Sequence, residues 1–264
     1  MKSFRLLLPI IAILLLTACS NEDVQTPPPP PTQPPEYEPI YDFTTFTFSS
    51  NGMDIKGKIY LPPSHVTNSD LPAIYLIDYK EQHFQIAEDE FDQVIKGVEQ
   101  INNFDALVIT LEEHSDIDAN PNGFLSYYQT FKDMTKYVDS IYTSNTNRTF
   151  IGRGSEGGIV LLTFLSEDSA TSVFDNFIAT DSPSQFNNVL STMIENDVVP
   201  ENISNKKLHF SFSSSNDADN CNQLINLINS KQYPWLTFKS REYSMDTYEN
   251  VYTYSFAEGL SFVF

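Results

Sequence analysis

Hydrophobic and polar positions alternate in two different rhythms along this chain, and the switches between them outline its elements. Residues 43–50, "FTTFTFSS", alternate with a period of two. Asn51-Gly52 marks a tight turn, and "DIKGKIYLP" (54–62) returns, so a hairpin is predicted. From Pro72 the character changes: "PAIYLID" (72–78) and "DALVITL" (105–111) are continuous apolar runs, the signature of strands covered on both faces. "RTFIG" (148–152), "NFIATDS" (176–182), "KLHFSFS" (207–213) and "LTFKSREYS" (236–244) add four more strands.

Helical spacing fills the gaps. It is read around residues 86–101 and through Phe124, Tyr128, Phe131, Tyr137, Val138 and Ile141. It recurs in "IVLLTFL" (159–165), near 185–196 and 218–230, and in the closing "YSFAEGLSFVF". A hairpin followed by strand–helix alternation predicts an α/β fold: one mostly parallel eight-stranded sheet with helices on both faces.

The motif with chemical content is "RTFIGRGSEGGIVLLTFL" (148–165), in which a strand breaks into glycines around one serine and resumes as a helix. With "AIYLID" (73–78), "YVDSIY" (137–142), "TDSPS" (180–184) and "AEGLSFVF" (257–264), this order resembles the α/β-hydrolase superfamily. Its esterase branch, with S-formylglutathione hydrolase and ferric-enterobactin esterase, is the nearest in pattern over residues 42–264. The resemblance implies a nucleophile on a sharp strand-to-helix turn, flanked by small residues, with backbone N–H groups ready for an oxyanion. Two registers fit. With Ser155 as nucleophile, Gly157 and Gly158 follow correctly and the Glu156 N–H is the donor, but Arg153 stands where a small residue belongs. Counted from Arg148-Thr149, Gly152 takes the small position and the nucleophile slot falls on Gly154, which has no side chain. Ser155 is preferred, as a vestigial nucleophile.

A serine hydroxyl needs a base to take its proton. The resemblance implies a histidine in the loop before the last helix, where "MDTYENVYTYSFAEGL" puts Tyr248; a phenol with a pKa near 10 is no base at neutral pH. The four histidines are His65, His83, His114 and His209, and the last lies within a strand, where a hydrogen-bonded structural role is expected. The acid is expected after the seventh strand, in "SSSNDADN". Asp217 or Asp219 is the candidate, and Asn216-Asp217 reads more simply as a helix cap. Tyr79 follows Asp78 where the resemblance implies glycine. Tyr75, Tyr79, His83, Phe84, Tyr127 and Tyr128 fall near loops that would line a pocket, so Glu156, Tyr79 and His114 are named as binding candidates. "EEHSDIDANPNG" (112–123) opens like a calcium loop at Asp116, Asp118 and Asn120, but Pro121 and Tyr127 replace the required glycine and glutamate. A solvated acidic loop is the reading, with no metal and no cofactor expected.

Composition narrows the partners. The 264 residues are 41% hydrophobic and carry a formal charge of −20, which repels phosphate backbones, so nucleic acid is excluded as a partner. Lys2 and Arg5 precede the apolar run "LLLPIIAILLLTAC", a secretory leader over residues 1–18. Its end, Leu16-Thr17-Ala18-Cys19, resembles a bacterial lipobox, which implies a lipid on Cys19, with Ser20 resembling outer-membrane sorting and Glu22-Asp23 a surface-export tag. Residues 19–40 then form a proline-rich tether of roughly 3 Å per residue, and the folded domain spans 41–264. With Cys19 acylated, Cys221 has no disulfide partner. A catalytically inert, membrane-anchored binding or scaffold protein with an outer-membrane protein partner is the leading expectation. An active esterase using Ser155 is the alternative.

Overall fold

The computed structural model describes residues 40–78, 89–112, 120–168, 170–196, 205–248 and 250–264. The expectations on Cys19, Tyr79, His83, Phe84 and His114 fall outside them. The hairpin forms as read: β1 (Thr44–Ser50) pairs antiparallel with β2 (Met53–Tyr60), and Asn51 and Gly52 both take positive φ at the turn. The apolar runs become β3 (Ala73–Ile77), β4 (Leu107–Leu111) and β6 (Asn176–Thr180), every residue of which is buried. With β5 (Arg148–Arg153), β7 (Lys206–Ser213) and β8 (Leu236–Tyr243) they complete one sheet, ordered β1-β2-β4-β3-β5-β6-β7-β8. Pairing is parallel from β4 to β8 and antiparallel from β1 to β4.

Among the described residues, six α-helices cover the two faces: α1 (Glu90–Glu99), α2 (Phe124–Ile141), α3 (Gly154–Ser166), α4 (Ser184–Glu195), α5 (Ala218–Lys231) and α6 (Val251–Val263). The alternation of each strand sorts the core into two layers. Tyr75, Phe150, Phe177 and Phe210 face the side of α2 to α5, where Phe131, Leu161, Phe186 and Leu224 meet them. Ile74, Leu76, Ile151 and Ile178 face α1 and α6, where Phe91, Ile95, Phe256 and Leu260 meet them. Of the helix read over 86–101, residues 86–88 lie outside the described residues; α1 starts at Glu90, where the Asp89 side chain accepts from Phe91 N–H and caps it. Asn120 accepts from the N–H groups of Asn122 and Gly123 at 2.9 and 3.0 Å, so this member of the calcium-like series shapes the turn before α2. Among the described residues no helix is long and apolar enough to cross a membrane.

Three aromatic expectations are corrected here. Tyr75 and Tyr127 are core residues, 0% and 4% exposed, and Tyr75 packs edge-on against Phe174. Tyr128 donates to Glu167 Oε1 at 3.1 Å, inside a buried network with the Lys206 ammonium. Their apolar rings fill the volume between sheet and helices rather than lining a pocket.

Candidate functional site

The turn between β5 and α3 fixes the register that the sequence left open. Arg153 has extended backbone (φ −128°, ψ 165°), and Gly154, the first residue of α3, takes φ +59°. This left-handed step is what lets the chain fold back at once into a helix, and only glycine adopts it without strain. The elbow residue is therefore Gly154, not Ser155, which lies one position into the helix and is half-buried. The crowding expected around an elbow is present: a Cβ on Gly152 would lie 3.0 Å from the Glu156 backbone, and one on Gly157 only 2.7 Å from the Thr180 carbonyl.

In this register Arg153 is no longer oversized. Successive β5 residues alternate, so Phe150 and Gly152 face α3 while Ile151 and Arg153 face α1 and α6. The Arg153 side chain, 1% exposed, ion-pairs through Nε with Glu90 Oε1 at the start of α1, itself 1% exposed. Its guanidinium lies 4.7 Å from the ring centroid of Tyr248 and 4.6 Å from that of Tyr252. Nη1 also donates to the Tyr248 carbonyl at 2.9 Å. Burial pushes the Glu90 carboxyl up to about 7, against the pull of Arg153.

Tyr248 does stand in the loop before α6 and does face the elbow. A Cβ built on Gly154 would collide with the Tyr248 phenol oxygen, so the phenol occupies the volume a nucleophile's side chain would need. On its other side the Tyr248 N–H donates to Ser215 Oγ at 2.9 Å. Ser215 shares a 2.8 Å hydroxyl contact with Ser213, whose Oγ donates to Asp181 at 3.0 Å. The residue after β7 that reaches Tyr248 itself is thus Ser215. Asp217 instead caps α5: it accepts from the Asn220 side-chain amide at 2.6 Å, from Asn220 N–H at 3.2 Å and from Ser184 Oγ at 2.9 Å, and these bonds hold its carboxyl below the usual range. The three positions that converge on the elbow are glycine, serine and tyrosine.

Asp181, 3% exposed with φ +53°, is the buried carboxylate that the sequence reading passed over. Burial holds it above the usual carboxylate range, while donors from Ser213 and Asn216 pull it back. It sits behind Ser213 rather than beside Tyr248. Glu156 is buried at the start of α3. His209 is corrected: it is fully buried on β7, and neither ring nitrogen has a hydrogen-bond partner among the described residues, so it is not the hydrogen-bonded residue expected. Burial pushes its pKa down to about 4, and it packs under Gly259 and Phe262 of α6. His65 Nε2 meets the Tyr142 carbonyl at 2.9 Å. That contact lies beyond α2, at the end of the sheet opposite the elbow.

The sheet order, the elbow at the end of β5 and the helix layers together are the α/β-hydrolase fold, and solved structures share it. An IroE-like serine hydrolase from Shewanella oneidensis aligns with a TM-score of 0.68 at 14% identity, over 84% of this chain and 80% of that one. The siderophore hydrolase EstA from Aspergillus nidulans aligns with a TM-score of 0.67 at 12% identity, over 86% and 97%. The BES protein from Bacillus cereus aligns with a TM-score of 0.64 at 15% identity, over 88% and 98%. At such identities the likeness is one of fold. No protein-family model and no curated protein matches the chain.

Proposed function

We propose that this protein is a non-catalytic α/β-hydrolase-fold lipoprotein, held at the outer membrane by a lipid on Cys19, that serves as a binding or scaffold subunit of an envelope complex. One observation carries the non-catalytic part: the elbow residue is Gly154, and the Tyr248 phenol fills the space its side chain would use. Acyl transfer at this elbow needs an oxygen or sulfur nucleophile and a base to take its proton. Gly154 supplies neither, and Tyr248 stands in the base position as a weak acid. Ser215 reaches the same loop as a neutral hydroxyl rather than a carboxylate. The anchor rests on the leader and the motif at residues 16–19, and the binding role on retention of a complete fold around a substituted site.

A second reading is a serine esterase. The descriptions of the neighbouring structures as serine and siderophore hydrolases favour it, as does the half-buried Ser155 hydroxyl beside the elbow. Purified full chain, incubated with p-nitrophenyl acetate and with a fluorophosphonate probe, separates the two. The expected result is hydrolysis at the background rate and no labelled band. Labelling that disappears in Ser155→Ala would overturn the first reading in favour of the second. Retention of the chain in the detergent-soluble outer-membrane fraction, lost in Cys19→Ala, tests the anchor.

A further inference from the structure

The segment between β8 and α6 is tied down largely through side chains. Ser214 Oγ donates to the Asp246 carbonyl at 3.0 Å, Ser215 Oγ accepts from the Tyr248 N–H, and Arg153 Nη1 donates to the Tyr248 carbonyl. Met245, at the crest, is 92% exposed. Of the two rings that sandwich the Arg153 guanidinium, Tyr252 is buried on α6 and Tyr248 is half-exposed. The route from the guanidinium to water therefore leads past Tyr248.

We propose that residues 244–248 form a strap that Arg153 latches shut over the Gly154 elbow, and that neutralising Glu90 releases it. A guanidinium 1% exposed is tolerated because a carboxylate balances it. Take that charge away and the cation is favoured wherever it meets water. Moving there breaks the bond to the Tyr248 carbonyl and unstacks the phenol, which then leaves the volume above Gly154. The ties that remain include the hydroxyls of Ser214 and Ser215, the Thr247 N–H to Asn250 Oδ1 at 2.9 Å and the Asp246 N–H to the Tyr243 carbonyl at 3.3 Å; these are neutral hydrogen bonds and weaker than the charge-assisted one that is lost.

The charged and titratable groups that act on this pair include Asp89 on the same helix turn, Asp181 after β6, and the phenols of Tyr248 and Tyr252. Asp89 is itself engaged by Lys58 of β2 at 3.2 Å, and Asp78 lies 4.0 Å from the same ammonium. Asp181 is held by Ser213 and Asn216. Because burial brings the Glu90 carboxyl to about 7, the release also falls in a range that mild acidification reaches. The strap operates in the same way whether the site beneath it binds or turns over a ligand.

Hydrogen–deuterium exchange of the full chain, read on a peptide covering 244–248, tests this. Glu90→Gln keeps the shape and the hydrogen bond but removes the charge. It should speed exchange of that peptide at least threefold at pH 8, with peptides from β5 and β6 unchanged. Wild-type protein moved from pH 8 to pH 6 should show the same local loss after correction for intrinsic rates, and Glu90→Gln should show no further change. Should Glu90→Gln unfold, Arg153→Lys serves instead: its ammonium can keep the ion pair but cannot also hold the Tyr248 carbonyl and stack on two rings. Unchanged protection in the folded variant, or an acid response that persists in it, would overturn the latch.

Discussion

The Tyr248 phenol oxygen lies so close to Gly154 that a Cβ built there would collide with it. The two residues are far apart in sequence and fit each other as a bump fits a gap. The left-handed glycine leaves the room, and the phenol takes it. Neither leaves space for the other's counterpart in a working elbow.

The first prediction follows from that fit. Gly154→Ala should destabilise the protein by about 2 to 4 kcal/mol, combining a left-handed backbone with a collision. Tyr248→Phe removes only the colliding oxygen. In a double-mutant cycle the alanine should therefore cost about 1 kcal/mol less when Tyr248→Phe is already present, while the backbone part of the cost remains. Urea denaturation of the four proteins measures it, and strict additivity would contradict the geometry.

A second prediction concerns Lys206, 0% exposed, which donates to Glu167 at 2.7 Å. Glu167 also accepts from Tyr128, Ser172 and the N–H groups of Val173 and Phe174, tying α3 to the loop before β6. Lys206→Met leaves that carboxylate buried without its cation and should cost about 3 to 5 kcal/mol. Replacing both partners, Lys206→Met with Glu167→Gln, should recover part of the loss. Denaturation midpoints of both variants give the answer.

The buried imidazole of His209 should make stability depend on pH. Its folded pKa, about 4, lies below the usual 6.5, so between these values the unfolded chain binds a proton that the folded one does not. Its contribution is complete above about pH 6.5 and is lost as pH falls toward 4, with an upper bound of roughly 3 kcal/mol. Glu90, shifted upward, works in the opposite direction over an overlapping range, so the wild-type slope alone is a mixture. The informative quantity is the difference between wild type and His209→Phe at pH 7 and pH 4.5. Stability lost on acidification should be smaller in the variant.

Cys221 gives a simpler test. It is fully buried, and burial pushes its thiol up to about 12. In a chain carrying Cys19→Ser, native protein at pH 8 should react with dithionitrobenzoate only at the rate of unfolding, and should titrate to one thiol in urea. Fast reaction in the native state would show that α5 opens locally.

How much of this was visible in the sequence depends on the range of the interaction concerned. The eight strands and six α-helices of the described residues were all present in the hydrophobic rhythm, because burial on one or both faces must be written into every strand and helix. Where an element starts was set by single side chains, such as Asp89, which caps α1 at Glu90. At the elbow, the sequence offered two registers. The alternation of β5, continued two residues from Ile151, would have sent Arg153 to the α1 side and favoured Gly154. Ser215 carried no such signal, since it is the third of three consecutive serines that end β7 and follow it, and only the position of the Tyr248 loop distinguishes them.

The amino-acid order alone determined the layered architecture, the absence of a histidine before α6 and the glycine-rich break after β5, because these depend on residue identity and local periodicity. Only the folded chain decided that Gly154 is the elbow, that Tyr248 fills it, and that Arg153 joins the two to Glu90. Those relationships pair groups 63 to 95 positions apart. Nothing local specifies such a pairing; it comes into being when the sheet stacks the carboxyl ends of its strands at one edge.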